Sequence, residues 1–102
     1  MIDLFISICK SDIGCEVVKE YKFHPKRKWR FDYAIVEYKI AIEIDGGVWI
    51  KGRHNRPIGY IKDMEKFNTA ASMGWVVLKF TPDQLYKTET FNLIKETINN
   101  KK

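Results

Sequence analysis

The sequence predicts an α/β domain: a mixed four-stranded sheet flanked by helices, in the order α-β-β-β-α-β-α. Three observations carry this prediction. Runs rich in β-branched and aromatic residues at 16–23, 29–36 and 39–45 are separated only by short polar turns, so they should be antiparallel neighbours. A helix-period stretch at 58–73 then precedes a mostly apolar run at 75–80. The third strand, that helix and the last strand make a right-handed βαβ unit with a parallel strand pair. Finally, 102 residues with 45% hydrophobic content are enough for one core and leave little room for a second, so a single domain over 1–102 is expected.

Each element has its own local reason. Ile2, Phe5, Ile6 and Cys9 share one side at helical spacing, which predicts a helix over 1–12 that Gly14 ends. Residues 16–23 form the first strand. His24, Pro25, Lys26, Arg27 and Lys28 make the polar turn to the second strand, and Glu37 and Tyr38 the turn to the third. Gly46 and Gly47 stop the third strand, and 46–57 is a loop punctuated by Gly46, Gly47, Gly52 and Pro57. In the helix over 58–73, Tyr60, Met64, Phe67 and Ala71 are expected on the buried side, with Gly74 as the cap. Thr81, Pro82 and Asp83 begin a turn, and Thr88 should cap a last helix to about residue 99.

Composition excludes several classes. Aromatic residues at 14% supply core bulk that a disordered chain lacks. No apolar run is long enough to cross a membrane, and the apolar start lacks the flanks of a signal peptide. Cys9 and Cys15 are too few for a disulfide framework or a four-cysteine zinc site, so a reducing cytoplasm is the expected setting. Eighteen Lys and Arg against 13 Asp and Glu give a net charge of +5, which leans toward a polyanionic partner. The basic residues are clustered. Lys19, Lys22, Lys26, Arg27, Lys28 and Arg30 surround His24, and Lys51, Arg53 and Arg56 surround His54; Trp29 and Trp49 sit among them. Interleaved cations and aromatics suit phosphate contact with base or sugar packing. The plain alternative is two solvated basic loops.

The acids gather on one patch. With symmetric turns, Phe23 faces Trp29 and Val36 faces Lys39; Asp32 then faces both Glu20 and Glu43 on its two neighbouring strands. Asp45 lies two residues beyond Glu43 and points the same way. The opposite face, with Val17, Tyr21, Phe23, Phe31, Tyr33, Ile35, Ile40, Ile42 and Ile44, should be core. Four acids on one patch repel one another, and a divalent cation with oxygen ligands would offset them. A polar outer face with charge pairs is the bland alternative. A one-residue bulge before Gly46 would turn Asp45 away from the others.

Arg30-Phe31-Asp32-Tyr33-Ala34 followed by Ile42-Glu43-Ile44-Asp45-Gly46-Gly47 resembles the PD-(D/E)XK nuclease superfamily, and within it the small phage and bacterial endonucleases related to very-short-patch-repair endonuclease. The resemblance extends from Glu20-Tyr21-Lys22-Phe23-His24-Pro25 through Gly52-Arg53-His54, Tyr60, Asp63, Lys66 and Asn68 to Gly74-Trp75 and Thr81-Pro82. It implies a restriction-endonuclease-like fold. It also implies Asp32 and Glu43 as metal ligands with the Ile44 carbonyl assisting, and Mg²⁺ as the ion, Mn²⁺ being tolerated. Asp45 stands where the superfamily usually has lysine; it is either a third ligand or a replacement. Lys66, Lys51 and His54 are the candidates to do the lysine's work. Glu20 is a metal or water ligand, or a salt-bridge partner for Arg30; Asp63 and Lys66 could equally be a surface ion pair.

The leading expectation is therefore an Mg²⁺-dependent endonuclease acting on DNA. Asp32, Glu43, Asp45, Glu20, His54 and Lys66 form its catalytic set, and Lys26, Arg27, Lys28, Arg30, Lys51, Arg53 and Arg56 hold the backbone. The competing class is a non-catalytic nucleic-acid-binding module. A chain this small covers little duplex, which makes a homodimer an option.

Overall fold

The computed structural model describes residues 2–45 and 57–102, the side chains of 57–60 excepted. Helix α1 (Leu4–Ile8) continues as a wider π-helical turn, Cys9–Ile13. Strands β1 (Val18–Lys22), β2 (Arg30–Ile35) and β3 (Ile40–Ile44) follow, then helix α2 (Pro57–Ser72), strand β4 (Val76–Phe80) and helix α3 (Thr88–Lys101). The four strands form one sheet in the order β1-β2-β3-β4, antiparallel except for the parallel β3–β4 pair. The α/β architecture and mixed sheet are those the sequence predicts.

Local chemistry sets the boundaries. Asp3 caps α1 by accepting the Ile6 N–H at 3.1 Å. Gly14 ends the π turn at φ 81°, a left-handed conformation that a side chain would strain. Lys39, at φ 53°, closes the turn between β2 and β3 after the 3₁₀ residues Val36–Tyr38. The cap of α3 is Lys87 and not Thr88. Thr88 is already helical; the hydroxyl that ties this end down belongs to Thr90, which donates to the Gln84 carbonyl at 2.6 Å.

Both faces of the sheet carry core, which corrects the expectation of one apolar and one acidic face. Phe5, Cys9, Cys15, Tyr33, Ile35, Ile40, Ile42, Phe91, Ile94 and their neighbours fill the side covered by α1 and α3. Phe23, Phe31, Ala34, Ala41, Ala70 and Trp75 form a smaller cluster on the α2 side. The alternation breaks at the same rung of both strands. Glu20 keeps its expected register opposite Asp32, but it sits at φ 55° and interrupts the β1–β2 pairing between Lys19↔Tyr33 and Tyr21↔Phe31. On one side of this rung Lys19 and Tyr33 reach Asp3, whereas Tyr21 and Phe31 pack on Trp75 on the other side of the sheet.

The face of α2 is also rotated from expectation. Ala70 is the fully buried residue among those described; Met64 is 46% exposed and Ala71 is exposed, Phe67 is half-buried as expected, and the side chain of Tyr60 lies outside the described residues. Small Ala70 packs in the same cluster as the tilted Phe31 and Trp75 rings. This turns Asp63, Lys66 and Phe67, rather than Met64, toward the sheet.

Candidate functional site

The β2–β3 ladder ends with Tyr33 opposite Ile42. One step further, side chains replace the backbone. The Asp32 N–H donates to Glu43 Oε2 at 2.7 Å, and the Ile44 N–H donates to Asp32 Oδ2 at 2.7 Å. Each carboxylate satisfies an amide the ladder would leave open, and these charge-assisted bonds fix both side chains. The remaining Glu43 oxygen, Oε1, accepts Lys66 Nζ at 3.0 Å, with the two side chains only 12% and 15% exposed. Burial pushes the Glu43 carboxyl above its ordinary range, and the Asp32 charge adds to that; the Asp32 N–H and Lys66 pull it down without cancelling the effect.

These groups stand at the C-terminal ends of β3 and β4, the end of parallel strands where α/β sheets usually place their ligands. A cleft of about 230 Å³ opens there, lined by Asp32, Glu43 and Asp45 from the sheet, Asp63 and Phe67 from α2, and Lys79 from β4. Asp45 stays on the Glu43 side because its N–H continues the parallel pairing, donating to the Phe80 carbonyl at 2.7 Å. Lys79 is the β4 partner of Glu43, and its Nζ rests 3.7 Å from the centre of the Phe67 ring. Lys66 lies 5.1 Å from the same ring. Among the described residues, four carboxylates face two ammonium groups, so the cleft is acidic on a basic chain.

The expected residues separate into three groups. Asp32, Glu43, Asp45 and Lys66 come together, with Asp63 at the rim; Lys66 pairs with Glu43 and not with Asp63. Glu20 does not join them. It is exposed, bonds to neither Asp32 nor Arg30, and its left-handed backbone carries it out of line with the other acids. Lys51, Arg53, His54, Arg56 and Trp49 lie outside the described residues. Lys26 and Lys28 on the 24–28 turn and Arg30 at the start of β2 are exposed, and His24 Nδ1 accepts the N–H groups of Lys26 and Arg27 at 3.0 and 2.9 Å, which folds the turn. Arg27 is held on the surface of the turn. Its guanidinium lies 3.9 Å over Trp29 and bonds both oxygens of Glu65 at 3.1 and 3.4 Å, tying the basic turn to the helix that supplies Lys66. The sequence reading passes over Lys79. Its signal was a lone charge in an otherwise apolar strand.

Among the described residues, no three His, Cys, Asp or Glu side chains converge closely enough to enclose a metal ion by themselves. The donors nevertheless suit Mg²⁺. It needs only one or two carboxylates and keeps several waters. Asp32 and Glu43 supply hard oxygens, Asp45 stands beside them, and Asp32 Oδ1 carries no hydrogen bond from the described residues.

Comparison with known proteins finds no matching family model, no matching curated protein and no matching solved structure. Among the described residues, no helix is long and apolar enough to cross a membrane.

Proposed function

We propose that the chain is a metal-dependent DNA endonuclease of the PD-(D/E)XK type, working with Mg²⁺ and tolerating Mn²⁺. The observation that supports this reading is the interlocked Asp32–Glu43 pair with Lys66 bonded to Glu43 in an acidic cleft. Asp32 and Glu43 would hold the ion, with Asp45 alongside. When bound, Mg²⁺ would polarise the phosphodiester and make a coordinated water easier to deprotonate. The chain's own part is positional. Two backbone amides and Lys66 lock the acids in place before substrate arrives, while Lys66 and Lys79 present positive charge to the negative charge that builds on phosphorus. The exposed Lys26, Lys28 and Arg30 suit backbone contact outside the cleft. A cytoplasmic setting and a homodimer belong to this proposal.

A non-catalytic nucleic-acid-binding module is the second reading. It is favoured by Asp32 and Glu43 being largely satisfied by the protein itself. One assay separates the two: cleavage of single-stranded, duplex and branched DNA in Mg²⁺ or Mn²⁺ by the parent, Asp32→Asn and Glu43→Gln. Both variants should lose cleavage by at least a hundredfold, on the order of losing one major electrostatic contribution, while DNA binding is kept or tightened. Full cleavage by Asp32→Asn removes the metal-site reading, and a parent that binds without cutting establishes the second.

A further inference from the structure

We infer that a DNA strand seated in the acidic cleft continues across Lys79 into a second groove at the start of α3, where Lys87 receives a neighbouring phosphate. This rests on the nuclease reading and extends it to the path of the substrate. The groove, of about 400 Å³, lies between the end of β4 and the first turns of α3. Its charged residues are Lys79, Lys87 and Glu89. Lys79 lines both this groove and the acidic cleft, so the two openings adjoin at this residue of the edge strand β4.

The chain is built to hold Lys87 there. After β4, Thr81 and Gln84 bond each other reciprocally: the Thr81 N–H donates to Gln84 Oε1 at 3.0 Å and the Gln84 N–H to Thr81 Oγ1 at 3.3 Å. Thr90 then ties the first turn of α3 to the Gln84 carbonyl. This fastening places Lys87 at the helix cap, with its side chain exposed and engaged by no acid among the described residues. Lys79 is likewise paired with no acid among the described residues; it rests on the face of Phe67. Lys66, by contrast, is spent on Glu43. A strand whose phosphate lies at Asp32 and Glu43 and runs toward α3 meets Lys79 and then Lys87, both unpaired with an acid among the described residues. The groove also exposes apolar surface at Leu93, which suits sugar rather than phosphate. Glu89 opposes the path and supplies a control of opposite sign.

The test is binding of a fluorescein-labelled DNA duplex by the whole protein in EDTA, followed across salt, with cleavage in Mg²⁺ measured in parallel. Lys79→Gln and Lys87→Gln keep polar side chains at exposed sites. Each should weaken binding roughly tenfold near 0.1 M salt and flatten the log–log salt slope by about 0.9. Glu89→Gln should tighten binding. Lys10→Gln, exposed in the π turn after α1 and lining neither opening, should change neither. Lys79→Gln should also slow cleavage at saturating DNA. If Lys79→Gln and Lys87→Gln bind like Lys10→Gln while the parent still binds and cuts, the path is wrong and the nuclease reading stands. If the parent neither binds DNA with salt dependence nor cuts it, the nuclease reading fails and the path fails with it.

Discussion

Burial works against the charged form of Glu43, and the Asp32 amide and Lys66 work for it. Removing Lys66 leaves burial and the Asp32 charge, both of which raise the carboxyl further. A group whose folded pKa lies above its ordinary 4.5 contributes its stability at low pH and loses it as pH rises through the folded value. Lys66→Met should therefore destabilise the fold by roughly 3 kcal/mol at neutral pH, the scale of a broken buried pair. The deficit should narrow as pH falls toward 4.5. Urea denaturation across pH checks it, and a deficit independent of pH would show that the ammonium serves only as packing. Asp45 is different: it is exposed and lines the cleft without a partner among the described residues. Asp45→Asn should slow Mg²⁺ cleavage about tenfold, as loss of an outer ligand does, with partial recovery in Mn²⁺. Asp45→Lys should retain activity only if Asp45 merely occupies the lysine position, so the two rates discriminate.

Within the elements, the left-handed Glu20 is the feature that a sequence pattern alone does not reveal. Glycine removes the side-chain strain at φ 55° but adds chain entropy. Glu20→Gly should thus gain roughly 0.5–1 kcal/mol in thermal or urea melts. Because Glu20 lies outside the cleft, cleavage should be unchanged; a loss of cleavage would return Glu20 to the catalytic set. The same residue explains what was legible beforehand. The antiparallel registers, Tyr21 opposite Phe31 and Tyr33 opposite Ile42, follow from short turns whose length leaves little freedom, and they brought Asp32 and Glu43 together on paper. Facing is a further property. It requires unbroken alternation, and the alternation breaks at Glu20 in β1 and at Asp32 opposite it in β2. Lys79 was out of reach for a different reason. The offset of parallel β3 and β4 is set by how α2 packs, not by a turn, so nothing in the chain's spacing pairs Lys79 with Glu43. The face of α2 was misjudged because large residues suggested burial, whereas Ala70 occupies the contact.

Across the whole molecule the two sides of the sheet are unequal. The α1–α3 side buries Phe5, Ile35, Ile40, Ile42 and Ile94 completely, while α2 leaves Ile61 62% exposed and Met64 46% exposed and contributes Ala70 as its one fully buried residue among those described. Helix α2 should therefore open more readily than the sheet, and its amides should exchange with solvent faster than those of β2 and β3. Mg²⁺ with DNA should slow exchange in α2 preferentially, since the cleft lies between that helix and the strands; equal slowing everywhere would place the ligand elsewhere. The thick side of the sheet has one more consequence. Both of the chain's cysteines lie within it, Cys9 completely enclosed and Cys15 6% exposed, and the hydrogen-bonding Cys15 thiol, with burial second, pushes the Cys9 thiol up. Maleimide should leave the native chain unmodified and consume both thiols only as fast as this half of the core comes apart. A single cysteine introduced at exposed Lys28 would then take a fluorophore alone, without first stripping the native sulfurs from the protein.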